Sequence, residues 1–276
     1  MTDIPESGLR STWVRAGQLE LLGSGREAEV FAWAEGRALR LARNPANGDM
    51  IAREAAALAA AHEAGAAVPA VYELVTIDGR PGLVLDRLDG VDLLDWLEHR
   101  PWAIGSVSLI LGREHAALHR VEAPATLPRL REELRDRLGS PLVPADVRSR
   151  TLERLDRLPD GDRLLHGDFH PANLLQTVDR CVVIDWTSGT AGDPAADVAR
   201  TVLLVEGGTL PDDTSALLRV IAPLTRRILL RGYLRAYAGA APLDRDAVQR
   251  WLPVWAAVRL AEGIEEERAA LLARAL

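Results

Sequence analysis

Apolar and polar residues alternate with a period of two through "QLELLGSGREAEVFAWAEGRALRLAR", residues 18 to 43. That period belongs to half-buried strands. The stretch therefore reads as three short strands: one before Gly23, one over 30–34 and one over 38–42, with turns at Gly23-Ser24-Gly25 and Glu35-Gly36. The pattern then changes to "DMIAREAAALAAAHEAG", rich in Ala, Leu and Glu. Asn47 or Asp49 caps it, Gly65 stops it and Pro69 lies beyond, which predicts a helix of about fifteen residues. Two more strands, "AVYELVTI" and "PGLVLDRL", come next around a hairpin-like turn at Asp78-Gly79.

From Asp92 onward helical spacing dominates, and only "RLLH", "NLLQTV" and "CVVIDW" keep short apolar runs that read as strands. This order predicts an α+β protein of two lobes. The first, residues 1–88, is a five-stranded antiparallel sheet with one inserted helix. The second, 89–276, is mostly helical. The boundary falls near Leu88 to Gly90 and leaves a cleft between the lobes.

Composition narrows the picture. With 276 residues and 48% apolar content the chain can bury a sizeable core, and no internal repeat is visible. No run reaches the roughly eighteen apolar residues of a membrane span, since the longest alanine-rich stretch is broken by His62, Glu63 and Gly65. A soluble protein without a membrane partner is expected. The single cysteine, Cys181, has no intrachain partner, and "MTDIPESGLR" lacks the basic-then-apolar order of a signal peptide, which points to the cytoplasm. A formal charge of -7 argues against capture of nucleic acid and favours a cationic partner. All 33 basic residues are arginine, so any role that calls for a long cation falls to arginine. Monomer and homodimer both remain open.

The chemistry concentrates in "HGDFHPANLL", residues 166 to 175. His166, Asp168 and His170 alternate, which permits a metal site on one side of an extended strand, but Gly167 and Pro171 interrupt strand geometry. Joined to residues 181 to 186, the stretch suits a different chemistry. Asn173 lies five residues after Asp168, and "CVVIDW" brings Asp185 to the end of an apolar strand. Hard oxygen ligands of this kind hold Mg²⁺ on nucleotide phosphates while a separate carboxylate orients an attacking hydroxyl.

The spacing H-x-D-x-x-x-x-N is that of a kinase catalytic loop. With "VIDW" and "GDPAADVAR" it resembles the aminoglycoside phosphotransferase and choline kinase branch of the protein-kinase-like fold, over most of the chain from Gly23 to Arg200. The resemblance implies a kinase that moves the γ-phosphoryl group of ATP, or GTP, to a hydroxyl of a small acceptor. It also implies that Asp168 receives or orients the hydroxyl proton, that Asn173 and Asp185 bind Mg²⁺, that His166 braces the loop, and that His170 takes the place where protein kinases carry a lysine.

"LLGSGREAEV" matches the nucleotide-loop pattern in two of three glycines, Gly23 and Gly25, with Ala28 in the third place; the backbone N–H groups of Ser24, Gly25 and Arg26 are the expected phosphate contacts. Arg40 stands where the family has its phosphate-binding lysine, and Glu54 is its matching partner, or else a solvent-facing charge beside Arg53. "LVLDRLDG" is the expected hinge, offering the backbone at Asp86 and Leu88 to a purine. Asp193 and Asp197 read as turn and capping residues that support the loop.

For the acceptor, Trp251, Trp255, Glu262 and Glu266 fall at steps of four, seven and four on one expected helix. They read either as an aromatic and acidic face for a cation, or as core tryptophans with surface glutamates. Acidic residues at Asp212, Asp213 and 265–267 point toward an aminocyclitol or amino alcohol, whether in antibiotic resistance or in metabolism. A non-catalytic nucleotide-binding or scaffold protein that kept the fold is the rival reading, motivated by Arg40 and Ala28.

Overall fold

A computed structural model describes residues 10–11, 14–25, 27–207 and 216–276. Among them the first sheet has the strand order β1-β5-β6-β4-β3-β2, built from β1 (Arg10–Ser11), β2 (Leu21–Ser24), β3 (Ala28–Ala34), β4 (Arg37–Ala42), β5 (Val71–Ile77) and β6 (Arg80–Asp86). The five expected strands are present and pair antiparallel. A sixth, β1, adds to the edge parallel to β5. Two residues carry no period, which is why the pattern along the chain does not announce it.

The alternation works as a sorting device. Leu39 and Leu41 of β4 join Phe31, Val75, Ile77 and Val84 in a small core on one face of the sheet. Ala42 and Leu83 look the other way, onto Ile51, Ala57 and Leu58 of helix α1 (Gly48–Glu63), and so enter the main core. The β5–β6 turn has Asp78 at φ 53° and Gly79 at φ 75°, the paired left-handed residues of a tight hairpin. Asn47 stands at the start of α1 but its side chain makes no capping hydrogen bond.

Beyond Asp86 the chain is mainly helical: α2 (Leu93–His99), α3 (Ile104–Leu118), α4 (Leu130–Leu138), α5 (Ala145–Arg157), α6 (Pro194–Gly207), α7 (Ala216–Ala240), α8 (Arg245–Arg259) and α9 (Glu265–Ala275). Short strands β7 (Val91–Asp92), β9 (Leu174–Gln176) and β10 (Cys181–Val183) form one small sheet, and β8 (Arg163–Leu165) with β11 (Thr190–Gly192) another. They hold the loop 166–173 and the segment around Asp185 at the floor of the cleft. No helix among the described residues is long and apolar enough to cross a membrane.

Helices α3 and α7 pack unusually close because glycine sits on both. A Cβ at Gly112 would stand 2.5 Å from the Tyr233 carbonyl, and one at Gly232 would stand 2.5 Å from the Ser108 Cβ. That approach brings the Tyr233 and Tyr237 hydroxyls within reach of two buried histidines, His115 and His119, on α3.

The expected single helix over 251–266 does not exist. α8 ends at Arg259, a 3-10 turn covers Leu260–Glu262, Gly263 takes φ 70°, and α9 starts afresh at Glu265. Glycine supplies the left-handed residue that ends the run. The steps of four, seven and four therefore do not describe one face.

Candidate active site

Strand β8 delivers His166 into a loop whose underside is fully buried. The Asp197 carboxylate, on the first turn of α6, accepts the backbone N–H of His166 at Oδ2 (2.6 Å) and that of Gly167 at Oδ1 (2.9 Å). It also receives His115 Nε2 at 3.1 Å and His119 Nε2 at 3.3 Å. With Nε2–H given to Asp197, each histidine's Nδ1 is left to accept from a tyrosine hydroxyl: Tyr233 at 2.8 Å and Tyr237 at 2.6 Å. Burial pushes His115 down to about 3, helped by neighbouring His119, so it is neutral; burial works the other way on Asp197, but the two histidines hold that carboxyl well below its usual range.

His166 is hydrogen-bonded at both ring nitrogens. Its Nδ1 accepts the Asp168 N–H at 3.2 Å and its Nε2–H is donated to the Ile184 carbonyl at 3.0 Å, which ties the loop to the segment ending in Asp185. Burial lowers its pKa, in keeping with that neutral tautomer. The Thr201 hydroxyl and the Arg200 guanidinium add bonds to the Phe169 and Gly167 carbonyls, at 2.8 and 3.3 Å.

Above this floor Asp168 is open: its side chain is 34% exposed. His170 Nε2 lies 3.3 Å from Oδ2 and Arg200 Nη2 lies 3.5 Å from Oδ1. Burial raises the carboxyl's pKa, but His170 and then Arg200 outweigh it and hold the group ionised well below the usual carboxylate range. Asn173, on a 3-10 turn, directs its amide N–H₂ at the Asp168 carbonyl (2.8 Å) and carboxylate (3.3 Å). Its amide oxygen has no donor among the described residues.

Asp185 follows β10 in a left-handed conformation, φ 60°, which a non-glycine residue adopts only under local constraint. Its Oδ1 accepts from Arg40 Nη2 at 3.1 Å and the Thr187 hydroxyl at 3.0 Å, and 42% of the side chain is exposed. Arg40 Nε donates to Glu54 Oε2 at 2.9 Å, and Glu54 is buried. The structure thus joins Arg40 to Glu54, while Arg53 pairs with Glu133 instead. Burial opposes charge on both members; Glu54 raises the Arg40 pKa, whereas burial keeps that of Glu54 above normal.

On the nucleotide side, the turn after Gly23 makes its own bonds. Gly25 N–H is engaged by the Ala28 carbonyl at 2.9 Å, and Arg43 grips the Gly25 carbonyl and the Ser24 hydroxyl, so the turn after Gly23 is closed upon itself. Arg26 lies outside the described residues. At the hinge, Asp86 gives its N–H to the Ala70 carbonyl at 3.1 Å, which leaves its carbonyl as the group to offer; Leu88 lies in the irregular segment after β6.

The acceptor candidates divide between the two readings open for them. Trp251 and Trp255 are core residues, each 2% exposed, with indole N–H groups bonded to the Asp193 carboxylate and the Ala196 carbonyl. Glu266 is exposed at the start of α9. Glu262 does reach the site, but bound to arginines: Arg200 at 2.8 Å, Arg259 at 2.9 Å and Arg137 at 3.7 Å. Asp212 and Asp213 lie outside the described residues. His115, His119, Arg137 and Arg200 escaped the sequence reading, although "REHAALH" puts two histidines one helical turn apart.

A model of the phosphotransferase enzyme family matches residues 18–243. The chain belongs to that family. This phosphotransferase is similar in structure to an amicoumacin kinase solved with AMP-PNP, Ca²⁺ and Ami (15% identity, 94% of this chain and 87% of that one, TM-score 0.63). It is similar also to a thermostable mutant of the aminoglycoside phosphotransferase APH(4)-Ia (17%, 93% and 92%, 0.61) and to a choline/ethanolamine kinase family protein from Mesorhizobium loti (22%, 94% and 86%, 0.53). At such identities the likeness concerns the fold. No curated protein matches the phosphotransferase by sequence.

Proposed function

We propose that this phosphotransferase moves the γ-phosphoryl group of ATP to a hydroxyl of a small, amine-bearing acceptor in the cytoplasm, with 1–88 as the nucleotide lobe and 89–276 as the catalytic and acceptor lobe. The observation that carries this reading is the convergence of Asp168, Asn173, Asp185 and Arg40 on one braced loop and its neighbouring strand end. GTP is the alternative donor, since hinge recognition runs through backbone.

Asp168 receives the acceptor's hydroxyl hydrogen while the hydroxyl oxygen bonds to the γ-phosphorus and the β,γ-bridging bond breaks, leaving the diphosphate. Held between His170 and Arg200, the Asp168 carboxylate serves as an orienting acceptor more than a strong base. That suits a loose transition state in which positioning contributes more than proton abstraction. Arg40, long and planar, reaches from Glu54 toward the phosphates and replaces the usual lysine with a forked donor.

The residues fit Mg²⁺. The Asn173 amide oxygen and the half-exposed Asp185 carboxylate are hard oxygen donors, and the Asn173 nitrogen is already turned inward to Asp168. These two would hold the ion, which when bound neutralises phosphate charge. Asp185→Ala is expected to weaken MgATP binding about tenfold or more by calorimetry; equal affinity would rule out the metal role.

Amine recognition is supported by Glu27 and Glu133 on the wall of the cleft. The test is transfer of labelled γ-phosphate to a panel of amino alcohols, amino sugars and hydroxy amino acids. Bound nucleotide with no phosphorylated product across that panel would favour the scaffold reading.

A further inference from the structure

Given the phosphotransfer reading, the acceptor belongs in the cleft of about 370 Å³ that opens at Gly167, next to Asp168. Its walls are α1, α4, the loop 187–190 and Trp255. Four charged side chains line it, two of each sign: Glu27 and Glu133, Arg53 and Arg137. Arg53 Nη1 and Glu133 Oε2 pair at 3.1 Å across the cleft, from α1 to α4, with both side chains about a third exposed (36% and 34%). Arg137 is the loosest of the three arginines on Glu262, at 3.7 Å against 2.8 and 2.9 Å.

A polycation needs surplus carboxylate, and this wall has little. Glu133 is matched by Arg53, Glu262 by its arginines, and Asp168 by His170 and Arg200. Trp255 is no free platform for a cation either, because the Arg200 guanidinium already lies 5.1 Å over its ring. Each ammonium beyond the first would confront an arginine, and like charges at a site of reduced dielectric repel.

We propose that the acceptor is a zwitterion: a small hydroxyl-bearing molecule with one ammonium, held by Glu27 and Glu133, and one carboxylate, held by Arg53 and Arg137. Such a ligand replaces the Arg53–Glu133 pair at both ends, so that neither charge is left without a partner. Arg53 Nε is buried and without an acceptor among the described residues, so the guanidinium holds donor capacity beyond its bond to Glu133. Because the four groups come from both lobes, the ligand also bridges them.

The test is calorimetry on the full chain with AMP-PNP and Mg²⁺, using matched pairs that differ only by the carboxylate: L-serine and ethanolamine, L-homoserine and 3-amino-1-propanol, 5-hydroxy-L-norvaline and 4-amino-1-butanol. Kanamycin serves as the polycation. At least one hydroxy amino acid is expected to bind tenfold or more tightly than its amino alcohol and than kanamycin. Arg137→Gln is expected to reduce that preference tenfold, and Arg137→Lys to restore part of it. Equal or tighter binding of the amino alcohols or kanamycin overturns the proposal, as does no binding by any hydroxy amino acid, or an unchanged preference in a normally folded Arg137→Gln protein. Phosphotransfer is judged apart, by whether γ-phosphate reaches any hydroxyl: a phosphorylated amino alcohol would remove the zwitterion and leave the kinase.

Discussion

The two sides of the loop 166–173 use the same residue types in opposite ways. Below it, His115, His119 and Asp197 are buried, and every polar atom of the network has a fixed partner: tyrosine hydroxyl, imidazole, carboxylate, backbone N–H. Above it, His170, Asp168 and Asp185 are partly exposed, and the two ion pairs of Asp168, at 3.3 and 3.5 Å, are loose. A closed network in low dielectric holds geometry, because any lost partner strands a desolvated group. An open one can exchange partners, which a residue must do to meet nucleotide and acceptor.

The largest expected effect lies on the closed side. Asp197→Ala leaves two backbone N–H groups and two imidazole N–H groups without their acceptor, and is expected to cost roughly 3–5 kcal/mol of stability in denaturant titration. A loss below 1 kcal/mol would mean the floor is not a brace. On the open side Asp168→Ala should do the reverse: turnover falls about a hundredfold or more while nucleotide affinity and melting temperature stay near their normal values. Unchanged turnover would remove Asp168 from the chemistry.

A pH scan separates the two sides further. His115 sits at about 3 in the folded protein against an ordinary value of 6.5. Between those values the unfolded chain takes up a proton that the folded one refuses, so stability falls as pH falls below about 6.5, by about 1.4 kcal/mol per pH unit for one such site. The depressed Asp197 adds to the loss only once pH drops below the carboxylate's ordinary 3.8. Melting temperature between pH 7 and 5 checks this, and His115→Gln should flatten the slope. Smallest of all is Glu266→Ala, which should leave melting temperature and kcat/KM unchanged, since that side chain is exposed on α9 and touches neither side of the loop.

Glu54 and Glu262 show what made a residue legible. Glu54 was readable as the partner of Arg40 because the two lie on consecutive elements, a strand and the helix after it, whose order constrains where they meet. Glu262 has contacts that spacing along the chain does not indicate. Its partners Arg200 and Arg137 come from distant helices, and extrapolating one helix through Gly263 placed it beside Glu266, which faces solvent. For the tryptophans two readings stood open, a cation-binding face or the core, because helical spacing says which residues share a face, not whether that face is wet; packing buries both.

Period and short-range spacing act along the chain, and they were enough to set five of the six strands of the first sheet, the helix after β4, and the order of Asp168, Asn173 and Asp185. Tertiary packing alone put His115 and His119 beneath the loop, gave Glu262 its arginines, and balanced the charge of the cleft. Those are sums over groups far apart in sequence. Their positions depend on how closely α3 meets α7 and on where the chain breaks after α8; Gly112, Gly232 and Gly263 permit both, but which distant groups then meet is decided only in the folded chain.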